Sequence, residues 1–261
     1  MKTKRLVILL SIFAMIILIV VLSSTVFSLS KVEVSFLEVP TKFSTQNNQE
    51  IIKSGDFDKG KSIFLVNKNK HIKNIEEQFP NLKVVGIETC FPNRLVVQVV
   101  ERQEYLAVYN YDVEKYFVID GEMKVLRVVD NVSSIQNLAR CMLTQDLKNY
   151  ENGDFIALDN ETIILKELCS SFWRCGYSEK EMNALVKNVY FDSQNNELEI
   201  TTYCKFRFSI KTPQEKLAQK LFAGNNAVFG DGGVGEDFVG KIFVYESAKE
   251  SKIFANAILN G

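Results

Sequence analysis

An uncharged apolar segment near the N-terminus limits what this chain can fold into more than any other feature. Residues 6–30 read LVILLSIFAMIILIVVLSSTVFSLS and contain no charged side chain. A helix of about 20 apolar residues crosses the ~30 Å hydrocarbon core of a bilayer, so the segment predicts a transmembrane helix. Lys2, Lys4 and Arg5 come just before it, and positive charge favours the cytoplasmic side. We therefore expect a short cytoplasmic tip, residues 1–5, and an extracytoplasmic remainder.

Two other interpretations of this segment stay open. A cleaved signal peptide also has a basic start, but its apolar region usually spans about 7 to 15 residues and ends at a small-x-small site. Ser23, Ser24 and Thr25 are small and polar, yet no Ala-x-Ala sequence follows them. A buried helix of a soluble protein is the third interpretation, which a long uncharged run behind a basic tip disfavours.

The composition predicts one large or two small folded domains and gives no reason to expect nucleic-acid binding. The 261 residues include 31 Lys and Arg against 32 Asp and Glu, for a net charge of −1. Nucleic-acid binding usually requires a clustered basic face. The hydrophobic fraction of 46% is sufficient for a packed core, and only 4 prolines are present, so a disordered stalk is not expected.

The cysteines and the single histidine form no catalytic or metal-binding pattern. Disulfide frameworks usually have an even number of cysteines at short spacings, whereas the 5 cysteines here are odd in number and scattered. We expect them to be small buried hydrophobic residues, although one disulfide stays open because an extracytoplasmic compartment permits oxidation. His71 is expected on the solvent side of a helix, and a metal site needs three or four clustered ligands. We predict no catalytic residue, no metal and no cofactor. The cysteines are Cys90, Cys141, Cys169, Cys175 and Cys204.

Other polar motifs also have simple structural interpretations. The glycine-rich sequence at residues 230–235 lacks the Gly-Lys-Ser/Thr ending of a phosphate loop and follows a predicted helix, so we expect a mobile loop. The acidic pairs Glu76-Glu77 and Glu101/Glu104 are expected on solvated faces. Two carboxylates can catalyse hydrolysis, but the sequence does not define their separation.

Residues 31–101 predict a small α+β domain. The alternating segment at 31–39 indicates a strand with one buried face, and Ile72, Ile75 and Phe79 form one apolar stripe on a helix. Two helices on one face of a three-stranded sheet would make a compact unit. The predicted elements are strands at 31–39, 82–90 and 95–100 and helices at 45–53 and 68–79.

Several motifs in this region are similar to those of a known family. They are the glycine-led Ile63-Phe64 strand, the helix ending at Phe79-Pro80, the Phe91-Pro92-Asn93 turn, the strand closing on Glu101-Arg102, and the strand pair around residues 116–126. Together they resemble the POTRA domain and the following strands of the FtsQ/DivIB bacterial cell-division proteins. Tyr105 departs from the family, which usually has proline there. Tyr203-Cys204-Lys205 also departs, because it replaces an Asp-Gly turn and leaves one long strand possible.

The resemblance implies a bitopic membrane scaffold of the divisome rather than an enzyme. In this family the C-terminal β-domain docks other bitopic division proteins, FtsB/DivIC with FtsL, so we expect FtsB/DivIC-like and FtsL-like partners. We expect no nucleic acid and no small-molecule substrate, and we expect localisation in the plasma membrane at the division septum. The fold class is α+β: one transmembrane helix, a POTRA-type domain, and a mainly antiparallel β-domain with flanking helices. The expected boundaries are 1–5 for the tip, 6–30 for the transmembrane helix, 31–101 for the POTRA domain, 102–246 for the β-domain and 247–261 for the tail.

Within the β-domain, aromatic and β-branched segments predict strands, and apolar periodicity predicts helices. Residues 212–224 begin with a capping box and predict a helix that ends at Gly224. The tail after Glu246 is expected to form a short amphipathic helix. The remaining expected elements are strands at 105–109, 116–119, 124–129, 186–191, 197–202, 206–210 and 238–245 and helices at 133–147, 162–172 and near 178–181.

The edge of the last predicted strand is the candidate binding site. An exposed edge offers unpaired N–H and C=O groups that a partner strand can complete. The predicted partner-binding residues are Lys241, Ile242, Phe243, Val244 and Tyr245. Alternatively, the tail at 246–261 folds back over this strand. The other functional alternatives are a membrane-anchored envelope enzyme, and a secreted or envelope adaptor unrelated to division.

Overall fold

Two units make up the chain, Met1–Arg102 and Gln103–Gly261. The computed structural model describes residues 2–43, 47–144 and 147–259, except for the side chains of residues 2–9 and 22–25. The start of the helix predicted at 45–53 therefore lies outside the described residues.

The first unit packs two helices on one face of a three-stranded sheet. The strand order is β1-β3-β2, with β1 parallel and β2 antiparallel to β3. Ile51 of α2 and Ile75 of α3 are fully buried against sheet residues such as Val97. This arrangement is the predicted succession of strand, helix, helix, strand and strand. The described elements are α1 (Lys2–Thr25), β1 (Lys31–Phe36), α2 (Asn48–Ser54), α3 (Lys68–Gln78), β2 (Leu82–Cys90) and β3 (Arg94–Glu101).

Two parts of the first unit differ from expectation or stay untested. Ile63–Leu65 is a turn of 3₁₀ helix rather than a strand, and only Ile63 of its three residues is buried. Helix α1 covers most of the predicted anchor. Among the residues that the structure describes, no helix meets the combined length and apolar character needed to cross a membrane. The transmembrane helix at 6–30 therefore stays a prediction.

The second unit is built on a nine-stranded sheet in the order β12-β11-β10-β9-β8-β7-β4-β5-β6. The pairs β4–β7, β7–β8 and β10–β11 are parallel, so the sheet is mixed. A large apolar core lies between the sheet and its helices. The elements are β4 (Leu106–Asn110), β5 (Lys115–Ile119), β6 (Val125–Val129), β7 (Ala139–Met142), α4 (Asn160–Arg174), α5 (Glu179–Leu185), β8 (Val186–Asp192), β9 (Glu197–Thr202), β10 (Phe206–Lys211), α6 (Leu217–Phe229), β11 (Gly240–Glu246) and β12 (Ile253–Leu259).

The prediction of a helix at 133–147 is wrong. This region contains a short 3₁₀ helix, Val132–Ile135, followed by strand β7. Ala139 and Cys141 are both fully buried, so burial in this segment has the two-residue period of a strand. Pairing of β7 with β4 on one side and β8 on the other overrides the weak helical periodicity. Residues 145–146 of the predicted helix lie outside the described part.

Helix α6 begins later and ends later than predicted. Thr212 and Lys216 have positive φ values of 46° and 53°, so the chain makes an irregular turn before the helix begins at Leu217. Gly224 lies inside the helix rather than at its end, and a Cβ atom there would be 3.1 Å from side-chain atoms of Phe208 and Val244. The glycine therefore allows α6 to approach β10 and β11 closely.

Candidate docking surface

Strand β11 contains the predicted binding residues but is not the edge of the sheet. It pairs in parallel with β10 and antiparallel with β12. The tail forms strand β12 rather than the predicted helix, and Glu246 lies opposite Ile253 in the β11–β12 hairpin. The interpretation of Lys241–Tyr245 as an exposed edge is therefore wrong, because the tail folds back beside this strand.

The five predicted residues divide between the two faces of the sheet. Ile242 and Val244 are fully buried in the core, whereas Lys241, Phe243 and Tyr245 lie half-buried on the opposite face. The ring centroids of Phe243 and Tyr245 are 5.5 Å apart. Tyr245 stacks on Phe254 of β12 at 5.7 Å, and the Lys241 Nζ atom lies 5.4 Å from the Phe243 centroid. We call these four side chains the aromatic face.

The outer side of β12 is the open edge. In the described part of the chain β12 pairs with β11 alone. Its sequence, IFANAIL, has no charged residue and no proline, the devices that usually prevent an edge strand from pairing with another chain. Ile258 and Leu259 are 49% and 75% exposed. An uncharged, exposed edge next to an aromatic face is chemically suited to accept a strand of a partner.

Buried and ionic contacts hold this end of the sheet in place. Glu197 of β9 forms ion pairs with Lys211 at 3.1 Å and with Lys241 at 2.9 Å, so it links three strands. Burial raises the pKa of the Glu197 carboxyl, but hydrogen bonds from the two lysines outweigh burial, and the net pKa is lowered. The buried Lys220 of α6 donates to the Lys211 carbonyl and to both oxygens of Thr212 at 2.8–2.9 Å. Desolvation lowers the pKa of this ammonium.

Of the four acidic residues expected on solvated faces, Glu77 is exposed as expected, whereas Glu76, Glu101 and Glu104 make structural contacts. Glu101 accepts hydrogen bonds from the Thr41 and Lys42 backbone amides at 2.5 and 3.0 Å. Glu76 accepts from the Val84 amide at 2.8 Å and pairs with buried Arg102 at 3.4 Å. These contacts hold loops and strands together. In the second unit, Arg127 of β6 forms a bidentate pair with Glu104, at 3.0 and 2.9 Å. This pair holds the β6 end of the nine-stranded sheet to the segment before β4.

His71 is also buried, contrary to the expected solvent position. It is 4% exposed, stacks on Phe57 at 4.4 Å, and places Nδ1 2.7 Å from the Gly55 carbonyl oxygen. Its contacts connect α3 with the turn after α2. Among the described residues, no group of three or more His, Cys, Asp or Glu side chains could hold a metal ion.

The cysteines and the glycine-rich loop both have roles in the packing of the fold rather than in a chemical site. All five cysteines are free thiols. Cys141 and Cys169 are buried as expected, whereas Cys90, Cys175 and Cys204 are only half-buried. Burial raises the pKa of the Cys169 thiol to about 12. In the loop, the Val234 and Gly235 amides donate to the Ala227 and Val228 carbonyls at 3.0 and 2.9 Å, so this loop closes the C-terminal end of α6.

Comparison with known proteins agrees with the geometry of the first unit. The sequence profile of the FtsQ-type POTRA domain matches residues 41–102, which include α2, α3, β2 and β3. This part of the chain is therefore similar to an FtsQ-type POTRA domain. A relative named cell division protein DivIB, from Clostridium acetobutylicum, is 32% identical over 118 residues, covering 45% of this chain and 45% of the relative. The two matches confirm the resemblance to the FtsQ/DivIB family, although the alignment spans less than half of the relative.

Sequence reasoning missed the strand that forms the candidate edge. The segment at 253–259 has apolar side chains on both faces and contains two alanines and one asparagine, so neither a two-residue nor a 3.6-residue period dominates. Its alignment opposite Lys241–Tyr245 in the hairpin could be identified only from the three-dimensional pairing.

Proposed function

We propose that this protein is a non-catalytic scaffold of bacterial cell division that binds other division proteins through its second unit. The FtsQ-type POTRA match and the similarity to DivIB support a role in division. The observation that carries the binding proposal is the outer edge of β12, which is uncharged and lacks a neighbouring strand in the described chain.

The proposed binding mode is strand addition. A segment of an FtsB/DivIC-like partner, bound together with an FtsL-like protein, pairs with the outer edge of β12. Backbone hydrogen bonds to β12 then supply affinity, and side-chain contacts supply specificity. Ile258 lies opposite Lys241, and Phe254 lies opposite Tyr245, so a partner side chain on this side of the sheet reaches the aromatic face. Lys241, Phe243 and Tyr245 thus remain proposed partner-binding residues through their side chains.

We also propose that α1 anchors the protein in the plasma membrane with its N-terminus in the cytoplasm. The uncharged run at residues 6–30 and the basic residues before it support this topology. The two units then lie outside the cytoplasm, where ectodomains of bitopic division proteins are available for binding. Localisation at the septum follows from the proposed partners.

Binding and imaging test this proposal. We expect the full-length chain in nanodiscs to bind the ectodomain pair of the DivIC-like and FtsL-like proteins of the same organism. Replacing Phe243 with Asp should abolish binding while circular dichroism stays close to that of the native protein. A fluorophore on the N-terminus should form a mid-cell band before constriction. An even membrane rim without such a band would instead favour an envelope adaptor unrelated to division.

A further inference from the structure

A second exposed apolar surface lies in the first unit, close to the end of α1. The rings of Phe27, Phe64 and Phe91 form a cluster with centroid separations of 5.3, 5.8 and 6.2 Å. Phe64 and Phe91 are 59% and 65% exposed, and the adjacent Leu65 is 81% exposed. We call Phe27, Phe64, Leu65 and Phe91 the apolar cap. Contiguous exposed apolar groups of this kind mark interaction surfaces.

Backbone hydrogen bonds fix the cap in one arrangement. The Ile63 amide donates to the Phe27 carbonyl at 2.9 Å, and the Leu29 amide donates to the Lys61 carbonyl at 2.7 Å. The Ser30 amide donates to the Asn93 carbonyl at 2.9 Å. Three separate segments therefore present the cap on a common base, which includes the buried Leu29 and Ile63 side chains. The cap is an ordered part of the domain surface.

The chain itself limits how far the cap can be from α1. Phe27 is two residues beyond Thr25, where α1 ends. Because an extended residue spans at most about 3.6 Å, the two backbones are within about 7 Å. The described side chains of α1 are almost all large, apolar and about half exposed, and they point in every direction around the helix. They include Leu10, Ile12, Phe13, Met15, Ile16, Ile17, Leu18, Ile19, Val20 and Val21.

Lysines flank the Phe64 segment of the cap in sequence. Lys61 and Lys68 are within four residues of Phe64, and Lys59 is five residues away. Lys59 and Lys61 are exposed, and Lys68 is half-buried. Lys61 pairs with Asp58 at 2.7 Å, but an ion pair between exposed side chains is weak and leaves the ammonium accessible. Basic side chains near a surface of anionic lipid are attracted to its phosphate groups.

We propose that the apolar cap is a lipid-binding surface that docks the first unit onto the outer leaflet of the membrane. Phe64, Leu65 and Phe91 enter the boundary between headgroups and acyl chains, and the neighbouring lysines contact anionic phosphate groups. The headgroup layer on each side of a bilayer is about 5–8 Å thick, which is comparable with the upper limit of about 7 Å between Phe27 and the end of α1. This inference rests on the membrane anchoring proposed above.

Photo-crosslinking in the full-length chain tests the inference. The photoreactive residue p-benzoylphenylalanine replaces Phe64 or Phe91, and the protein is reconstituted in nanodiscs of fluorescent phosphatidylglycerol. Replacement of Phe155, which is 54% exposed in the second unit, is the matched control. We expect lipid adducts at positions 64 and 91 to exceed those at position 155 several-fold. The double substitution Lys61→Glu and Lys68→Glu should lower the adduct yield at position 64 several-fold.

A probe at Leu18 separates this inference from the anchoring itself. Lipid adducts at position 18 without an excess at positions 64 and 91 would overturn lipid binding by the apolar cap but would still support membrane anchoring by α1. No adduct at position 18 would overturn both. Crosslinks from positions 64 and 91 to a second copy of the chain, in place of lipid, would identify the cap as a protein interface and also overturn the inference.

Discussion

The two edges of the nine-stranded sheet are protected to very different degrees. At the β6 edge, the Val125 amide donates to the Asp154 carbonyl and the Gly153 amide donates to the Val125 carbonyl, both at 2.8 Å. Arg127 adds a charge in the same strand, paired with Glu104. At the β12 edge, the described chain supplies no neighbouring strand and no charge.

The difference supports the proposal that β12, rather than β6, accepts a strand of another chain. Proteins usually block edge strands with charges, proline or covering loops, because an open edge can pair with an unrelated chain. β6 is blocked in two of these ways. An edge as uncharged as β12 is a liability in isolation, and strand addition by a partner removes that liability.

The largest effect is expected from a charge placed on the open edge. Ile258→Glu should weaken binding of the partner ectodomains by about 2–4 kcal/mol, because the carboxylate must be desolvated in the interface. Titration calorimetry or biolayer interferometry with the full-length chain would measure this loss. Ile163→Glu is the matched control, since Ile163 of α4 is 53% exposed compared with 49% for Ile258. Equal losses for both variants would contradict binding at the β12 edge.

A smaller effect, on stability, is expected from a substitution in α6, the helix that packs against this end of the sheet. Gly224→Val should destabilise the second unit by about 2 kcal/mol, because the new side chain meets Phe208 and Val244 in a packed interior. Chemical denaturation followed by circular dichroism would report the change in unfolding free energy. Asn226→Ala alters an exposed position on the same helix and should change stability little. Similar stability for the glycine variant and the wild type would show that α6 can move away from the sheet.

A substitution at the protected β6 edge should have a smaller effect, and it should change stability rather than partner affinity. Arg127→Ala removes the bidentate contacts to Glu104 and should lower stability by about 1 kcal/mol, while partner affinity stays unchanged. Parallel measurements of unfolding and binding would separate the two quantities. A clear loss of affinity in this variant would mean that the β6 end also takes part in docking.

The smallest effect is expected from pH. The pKa of Glu197 is lowered in the folded protein, so its contribution to stability is present above the unfolded pKa and is lost as the pH falls through the folded pKa. Glu197→Gln should therefore be less stable than the wild type at neutral pH, and the difference should shrink below about pH 4.5. Unfolding curves between pH 3 and 7 would test this, and a difference that is constant across the range would contradict the assignment.

The sequence predicts elements well where local patterns are strong. Glu197–Thr202 forms a strand with the predicted bounds, because alternation and β-branched residues agree. The helix predicted near 178–181 forms, and Ser178 and Glu181 make a capping box at its start, which depends on side chains only three residues apart. The POTRA-type order of elements follows in the same way from local periodicity and from the proline-containing turn at residues 91–94.

Long-range pairing explains the errors. β7 and β12 are both strands with weak local signals, and each is determined by neighbours in the sheet. His71 is a polar residue that we expected on the solvent side of its helix, yet the turn at Gly55 and Phe57 covers it. Similarly, we expected Glu101 to be solvated, but in the fold the loop at Thr41 lies beside it and donates a hydrogen bond to its carboxylate. The contacts of His71 and Glu101 join residues that are 14 to 60 positions apart, where a sequence pattern contains no information about proximity.

The hairpin that holds β12 also determines how this end of the protein responds to mechanical load. Seven register pairs join β12 to β11, from Gly240 with Leu259 to Glu246 with Ile253. A partner strand beside β12 that is pulled along the strand direction loads these pairs in shear, so they share the force rather than break one after another. β11 transmits the force in turn to β10, because the two are paired along most of their length. The open edge is therefore suited to hold a partner under tension along its length, and it would release that partner more easily under a perpendicular, peeling force.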